Sequence, residues 1–444
     1  MTYPGASPAP GARIVGMSVM ATTPPGDLRL VTRPGHPDLL DLPWSQPLGD
    51  WTDERLVEVA IGLHRHVVRF VNIDGALYAL KELPPRLADR EYRVLRQMAD
   101  DGLPVVEVAG VAGRRDLEHV LITRHLEYSL PYRQLFTHRR PTVEDESDPH
   151  SLEGLHSRLL DALALLLVRM HLAGFYWGDC SLSNTLFRRD AGALAAYIVD
   201  VETGEWHVEL TRGQRDADLE VAQLNVAGGL MDLQAQLDLP AEPDPVQSAE
   251  RLADRYRRLW TELTDDVIIG VDERFRIEAR LRRINELGFD VEEVELESTA
   301  TGDRLRVRTH VSEQGFHRRR LLQLTGLQAQ ENQARSLLND LTNFRAATER
   351  DEGRPMPEPV AAYRWLHEVY ERVVCAIPDE YRTRLEPVEV FHEVIEHKWY
   401  LSEKEGHDVG VDRALESYLS TVLPRAPAEK QVLEDVSDGW IGFG

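Results

Sequence analysis

The first pattern along this chain is an alternation of apolar and polar residues, which predicts β-strands. Three candidates alternate in this way, at residues 56–62, 67–73 and 76–82. Asn72-Ile73-Asp74-Gly75 joins the last two and is typical of a hairpin turn. A helical spacing at 87–98 and strand-like runs at 105–111 and 119–123 follow. The sequence therefore predicts a small antiparallel sheet accompanied by one helix.

From residue 152 onward the spacing becomes mainly helical. A long apolar helix is predicted at 152–171, followed by a loop rich in glycine and a hairpin that ends at Asp200. The prolines at 240–245 indicate a domain boundary. Beyond this boundary the patterns predict two strands, near 291–298 and 304–311, and helices at 247–264, 272–287, 318–349, 361–376, 388–404 and 411–422.

These patterns predict the α+β class, with a two-lobed module followed by a helix-rich α+β domain. The predicted organisation is a disordered leader at 1–27, a first domain at 28–240, a second domain at 247–424 and a flexible acidic tail at 425–444. The leader lacks a charged start followed by an apolar block, so it is not expected to be a secretory signal. No apolar run approaches the roughly 18 residues that a membrane span requires.

Composition and charge narrow the possible functions. The net charge of −24 argues against binding to nucleic acid or acidic lipid, because both are polyanions. The 2 cysteines, Cys180 and Cys375, lie far apart and lack the spacing of a metal site, which favours a reducing, cytoplasmic location. Lysine is scarce, since Lys81 is the first and the next is Lys398. Lys81 therefore indicates a position where a compact ammonium is required, although a surface lysine is the simpler alternative.

Glu91 is the natural partner for Lys81. Lys81 ends the third predicted strand, and Glu91 shares a helix face with an apolar stripe made of Leu87, Val94, Leu95 and Met98. A carboxylate on an apolar face needs a compensating charge, and Lys81 can supply it. The alternative is a solvated glutamate at the margin of that stripe.

The most specific motif runs from Gly174 to Asn184. It contains Asp179 and, five positions later, Asn184, and an apolar strand then ends at Asp200. This order of residues resembles the catalytic and metal-binding loops of the protein-kinase-like superfamily. The resemblance implies that Asp179 orients and deprotonates an acceptor hydroxyl, while Asn184 and Asp200 hold Mg²⁺ beside ATP.

The chain departs from the protein-kinase pattern at several points. Gly62-Leu63-His64-Arg65-His66 replaces the glycine-rich phosphate loop, so Gly62 and His64 are predicted nucleotide contacts in which side chains substitute for backbone N–H groups. Asp200 is followed by Val201-Glu202, and Glu202 is a secondary metal candidate. These sequence features resemble those of the aminoglycoside, choline and lipopolysaccharide kinases, and they most resemble the lipopolysaccharide kinase branch. The remainder of the chain resembles a C-terminal domain of unknown function.

The resulting hypothesis is a Mg²⁺-dependent ATP phosphotransferase that acts on a small hydroxylated acceptor, such as a sugar or a lipid-linked sugar. The alternative is a nucleotide-binding regulatory module that signals to the C-terminal domain without transfer, a hypothesis favoured by the missing glycine-rich loop. A scaffold or RNA-associated role is a third hypothesis. In the tail, Trp440 and Phe443 provide a possible docking element for a protein partner.

Overall fold

The structure is a computed structural model of the chain. It describes residues 28–59, 66–137, 152–237, 244–270, 273, 275–298, 304–426 and 428–430. The predicted leader at 1–27, the candidate nucleotide contacts Gly62 and His64, and residues 431–444 of the predicted tail lie outside the described residues.

The N-terminal lobe is a six-stranded antiparallel sheet with one helix against it. The strand order is β1-β5-β6-β4-β3-β2. The elements are β1 Leu28–Thr32, β2 Leu56–Val57, β3 Val68–Ile73, β4 Ala76–Leu83, α1 Pro85–Asp100, β5 Val108–Arg114 and β6 His119–Arg124. β3 and β4 form the predicted hairpin, and its turn uses the left-handed conformation at Asp74 and Gly75.

A segment before β2 covers the sheet face opposite α1. Leu39, Trp44 and Trp51 pack there against Val71 and Leu80, and all five side chains are buried. Leu28 and Leu30 of β1, which pairs with β5, pack against the same cluster. The sequence pattern did not predict β1, because its five residues are too short to show a clear alternation.

The second lobe is built around a buried helix. Its elements are β7 Ser129–Pro131, α2 Tyr132–Thr137, α3 Leu152–Leu172, β8 Phe175–Tyr176, β9 Thr185–Asp190, β10 Ala193–Ile198, β11 Glu205–Trp206, α4 Arg212–Leu237 and α5 Pro245–Thr264. In α3, Leu159, Leu163 and Leu167 are fully buried. β9 and β10 form a hairpin, and its strand β10 is joined to the first lobe by the hydrogen bond from the Val106 N–H to the Ile198 oxygen, 3.0 Å.

Helix α5 packs into the same core as the second lobe. Its residues Leu252, Ala253 and Tyr256 belong to the cluster that also contains the apolar side chains of α3. Residues 238–243, in which most of the predicted proline boundary falls, lie outside the described residues. The division at 240–247 therefore stays a prediction, and we propose that α5 belongs structurally with the first domain.

The C-terminal region, from residue 267 onward, has a three-stranded sheet and a separate helical core. Its elements are β12 Val267–Gly270, α6 Phe275–Glu286, β13 Phe289–Ser298, β14 Arg304–Gln314, α7 Phe316–Thr325, α8 Glu331–Glu352, α9 Glu358–Trp365, a π-helical turn at Leu366–Tyr370, α10 Glu371–Cys375, α11 Pro387–Glu405 and α12 Val411–Thr421. The single helix predicted at 318–349 is wrong. Gly326, with φ of 77°, ends α7 in the left-handed conformation, and a new helix begins after Gln330.

The predicted α+β class is confirmed, since the described residues form both helices and strands, with helix predominating. The first lobe is a sheet and the C-terminal region is rich in helix. Within the described part of the chain, no helix combines the length and apolar character needed to cross a membrane.

Candidate active site

Lys81, Glu91 and Asp200 meet between the two lobes. Lys81 comes from the sheet strand β4, Glu91 from the buried face of α1, and Asp200 follows β10 of the second lobe. The Lys81 Nζ lies 2.7 Å from Asp200 Oδ2 and donates to both Glu91 oxygens, at 3.1 and 3.3 Å. The structure thus brings together three predicted site residues from three separate segments.

One ammonium faces two carboxylates in this cluster, and the pKa values of the two acids shift in opposite directions. Glu91 is only 1% exposed, and this burial raises its pKa to about 8 despite the neighbouring ammonium. Burial acts in the same direction on Asp200, but Lys81 outweighs it and holds the pKa of Asp200 below its usual value. The two carboxylates likewise hold the pKa of Lys81 above its ordinary value, although burial alone would lower it. Lys81 and Asp200 therefore form the ionised pair, with Glu91 as a buried acid behind them.

The raised pKa of Glu91 predicts a pH-dependent stability. The unfolded chain releases the Glu91 proton near pH 4.5, whereas the folded protein keeps it up to about pH 8. The folded state binds more protons in this window, so the free energy of unfolding falls as the pH rises through it. Glu91→Gln should flatten this dependence, measured by denaturant unfolding between pH 5 and pH 8. A variant curve that runs parallel to the wild-type curve would contradict the assignment, and exposed Glu220→Gln serves as the control.

Asp179 lies in the loop after β8, and two asparagines hold its carboxylate. Asn184 Nδ2 donates to Asp179 Oδ2 at 2.9 Å, and Asn225 Nδ2, from α4, donates to Oδ1 at 3.1 Å. Asn225 also donates to the Cys180 carbonyl oxygen at 3.2 Å, which ties the loop to the helix. The motif residues Asp179 and Asn184 are thus in direct contact, and Asn225 is an additional contact that sequence reasoning missed.

A buried aspartate also holds the loop that contains Asp179. Asp218 in α4 is fully buried and accepts hydrogen bonds from the Trp177 and Gly178 N–H groups, both at 2.8 Å. His171 Nε2 donates to it at 3.0 Å, while the Tyr256 hydroxyl lies 2.6 Å from His171 Nδ1. These hydrogen bonds orient the backbone of Trp177 and Gly178, which directly precede Asp179. Neither Asp218 nor His171 was predicted.

Glu202 faces the first lobe. Its Oε2 lies 3.4 Å from His66 Nε2, which is in the segment that precedes β3. The Glu202 N–H donates to Asp200 Oδ1 at 2.9 Å, and Arg90 of α1 donates to the Glu202 carbonyl oxygen at 2.6 Å. These contacts hold the chain directly after Asp200 between the two lobes. The secondary metal candidate is therefore bonded to Asp200 through its backbone, while its carboxylate lies near His66 without a hydrogen bond to it.

The oxygen atoms available near Asp200 fit a nucleotide-bound Mg²⁺. The Val199 N–H donates to the Asn184 carbonyl oxygen at 3.0 Å, which brings Asn184 and Asp200 to the same end of the hairpin. The Asn184 side-chain nitrogen donates to Asp179, so its side-chain oxygen is the atom left for a cation. Among the described residues, no group of three or more His, Cys, Asp or Glu side chains could hold a metal alone. Mg²⁺ takes few protein oxygens and completes its shell with water and phosphates, so Asn184 and Asp200 are the residues that would hold it.

A sheet lobe above a helical lobe, with lysine, glutamate and aspartate joined between them, defines the kinase-like class of phosphotransferases. Residues 71–227 match the model of the Lipopolysaccharide kinase (Kdo/WaaP) family, and residues 258–423 match a domain of unknown function, DUF4032. The resemblance inferred from the sequence is therefore confirmed for both parts of the chain.

One solved structure similar to this chain is WaaP in complex with acyl carrier protein. It shares 17% sequence identity with a TM-score of 0.32, and the match covers 52% of this chain and 89% of that chain. No curated protein matches the chain.

Proposed function

We propose that this protein transfers the γ-phosphate of ATP, in a Mg²⁺-dependent reaction, to the hydroxyl group of a small acceptor such as a sugar or a lipid-linked sugar. The observation that carries the proposal is the 2.7 Å contact between Lys81 Nζ and Asp200 Oδ2 across the two lobes. Asp179 supports it, because its carboxylate is oriented by Asn184 and Asn225. The match to the lipopolysaccharide kinase family supports a kinase-like phosphotransferase in general.

Each side chain has a distinct task in this proposal. Lys81 binds the phosphates, and the buried Glu91 keeps its ammonium in place. Asn184 and Asp200 provide oxygen ligands for Mg²⁺, which neutralises phosphate charge when it is bound. Asp179 orients the acceptor hydroxyl and receives its proton as the hydroxyl oxygen bonds to the γ-phosphorus, while the bond from that phosphorus to the bridging oxygen breaks and ADP leaves. Gly62, His64 and Glu202 remain proposed contacts of the nucleotide and its cation.

The short connection after Asp200 supports a small acceptor. Residues 201–211 are all that separates Asp200 from α4, and they include the strand β11 paired with β8. Protein kinases use a longer activation segment at this place, between the metal-binding aspartate and its closing motif, to control the active state. A segment this short leaves little backbone for binding an extended peptide. The proposal includes the cytoplasmic location expected from the cysteine pattern, where ATP is available.

Mg-ATP binding provides the test. With Mg-ATP at 100 times its dissociation constant, the wild-type protein should gain about 2.7 kcal/mol of stability, because the ligand binds only the folded state. Asp200→Ala should lose most of this gain, since it removes a Mg²⁺ ligand and the partner of Lys81. Thermal-shift measurements with and without Mg-ATP measure the gain separately for each variant. Asp232→Ala, an exposed position on α4, is the control, and equal shifts in all three proteins would refute the proposed site.

A nucleotide-binding regulatory module is the second candidate, and the contacts between the β9–β10 hairpin and the C-terminal region favour it. Gln333 of α8, for example, donates its backbone N–H to Asp190 at 2.8 Å. Such contacts offer a route from nucleotide occupancy to the C-terminal region. Stabilisation by Mg-ATP together with an absence of ATP hydrolysis and of transfer to a panel of sugars and lipid-linked sugars would select this candidate.

A further inference from the structure

The β9–β10 hairpin reaches from the candidate active site to the C-terminal region. Asn184 directly precedes β9, and Asp200 follows β10 by two residues, so both proposed Mg²⁺ ligands lie at its open end. Thr185 pairs with Ile198 at this end, and Asp190 pairs with Ala193 at the other. With six residues in each strand, the two ends lie roughly 17 Å apart at about 3.3 Å per residue.

At the closed end, the Asp190 carboxylate is held by helix α8. Asp190 is 3% exposed and accepts from the Gln333 N–H at 2.8 Å through Oδ1 and from Asn332 Nδ2 at 2.9 Å through Oδ2. A buried carboxylate is costly unless both oxygens find donors, and here the donors come from the C-terminal region. These hydrogen bonds therefore fix the position and orientation of the turn relative to α8.

The turn itself depends on the same neighbours. Ala191, with φ of 50°, and Gly192, with φ of 79°, form a two-residue turn in the left-handed conformation, which is unfavourable for alanine. The buried Glu389 of α11 accepts the Ala191 N–H at 3.1 Å. Gln333 Nε2 joins the two helices at this point, since it donates to Glu389 Oε2 at 2.7 Å.

Both strands make further polar contacts with the C-terminal region. On β9, Arg188 pairs with Glu386 at 2.6 Å, and Arg189 pairs with Glu429 at 2.5 Å. On β10, the Tyr197 hydroxyl donates to the side-chain oxygen of Gln330. The hairpin is thus held along both strands as well as at its turn.

From this arrangement we infer that the C-terminal region is a positioning element for the Mg²⁺ site, with Asp190 as the positioning residue. By holding the closed end of the hairpin, α8 and α11 determine where its open end places Asn184 and Asp200. The inference rests on the proposed function and gives the domain of unknown function a role in the same reaction. No step of the reaction involves Asp190 directly.

The contacts between the hairpin and the C-terminal region are mainly polar, which supports a role in positioning the hairpin and not only in attaching the two regions. The apolar core of the first domain extends into the C-terminal region at Ile284 and Phe289, but the helical core that includes α8 and α11 is a separate cluster. What joins the hairpin to α8 and α11 is a set of buried, directional hydrogen bonds and ion pairs. Apolar contacts tolerate sliding, whereas a satisfied buried polar network specifies one geometry.

The test is the Mg²⁺ concentration that half-saturates ATP binding, measured by titration calorimetry at fixed ATP. Asp190→Asn replaces one of the two accepting oxygens with an NH₂ group. One hydrogen-bond donor of α8 then faces a second donor instead of an acceptor. The half-saturating Mg²⁺ concentration should rise about tenfold, the lower end of what the loss of a group supporting metal ligands causes. Asn332→Ala removes one of the two donors and should cause a smaller rise. ATP binding measured in EDTA should change little in either variant, because Lys81 lies on β4 and keeps its contact with Glu91 in the first lobe.

Lys430→Ala is the matched control. It removes an ion pair, 3.2 Å from Lys430 Nζ to Glu127, that also joins the C-terminal region to the first domain but does not touch the hairpin. An unchanged Mg²⁺ requirement in this variant, with a raised requirement in the hairpin variants, supports positioning. If the folded Asp190 variant requires no more Mg²⁺ than the wild type, the inference is overturned while the proposed function stands. If Asp190→Asn does not fold, Asn332→Ala decides in the same way, and a wild-type protein that binds no Mg-ATP refutes the proposed function itself.

Discussion

Asp179→Asn is expected to lower the rate of phosphoryl transfer about 1000-fold, within the range typical of losing a general base. The substitution keeps the size of the side chain but removes the carboxylate that we propose accepts the hydroxyl proton. Nucleotide binding should persist, because Lys81, Glu91 and Asp200 form their contacts without Asp179. Turnover with radiolabelled ATP and a sugar acceptor measures the first effect, and Mg-ATP thermal shift measures the second.

The Asp179 variant also separates transfer from binding. A loss of turnover with an intact thermal shift would indicate that Asp179 acts on the acceptor and not on the nucleotide. Turnover within about twofold of the wild type would remove Asp179 from the mechanism, since even the weakest general bases contribute about 100-fold. Asp232→Asn, an exposed change of the same chemistry on α4, should leave both measurements unchanged.

The site residues that could be predicted from the sequence each had a local signal. Lys81 is an isolated lysine at the end of a strand, and Glu91 is a charge on an apolar helix face. Asp179 and Asn184 share a spaced motif. Such signals depend only on neighbours in the chain and on the periodicity of one element. The structure places these residues in two contacting groups, Lys81 with Glu91 and Asp200, and Asp179 with Asn184.

Asn225, Asp218 and His171 had no comparable signal. They lie on helices where polar residues are ordinary, and their importance comes from partners elsewhere in the chain. His171 meets Asp218 across a separation of 47 residues, and Asn225 meets Asp179 across 46. Which face of α4 turns toward the loop depends on the packing of α4 against α5 and β8, which one sequence does not reveal.

The same limit applies to the fold. The apolar spacing predicted that a helix lies at 247–264, and the structure has α5 at Pro245–Thr264. Periodicity shows that a helix has an apolar face, but it does not show which core covers that face. The split at Gly326 was also missed, because a glycine within a helical pattern is often tolerated and its left-handed conformation is visible only in the structure.

Asp218→Asn is expected to destabilise the protein by about 3 kcal/mol and to reduce turnover as well. Asp218 accepts three hydrogen bonds in a fully buried position, from Trp177, Gly178 and His171. An asparagine has one accepting oxygen, so its amide group must face at least one of these donors and leave it without a partner. A buried donor without an acceptor costs about 1–3 kcal/mol, and the loss of a charged acceptor raises the cost toward the upper end. Urea unfolding measures the stability.

Tyr256→Phe distinguishes support of the loop from general packing. This change removes the 2.6 Å contact to His171 and the interaction of the hydroxyl with Arg215, and it keeps the buried ring. It should cost about 1 kcal/mol, the usual value for one hydrogen bond, and affect turnover less than Asp218→Asn does. Equal losses of turnover in the two variants would show that His171 transmits the whole effect. If Asp218→Asn destabilises the protein but leaves turnover unchanged, the backbone at Trp177 and Gly178 holds Asp179 in place without Asp218 as its acceptor. Asp218 would then be a purely structural residue.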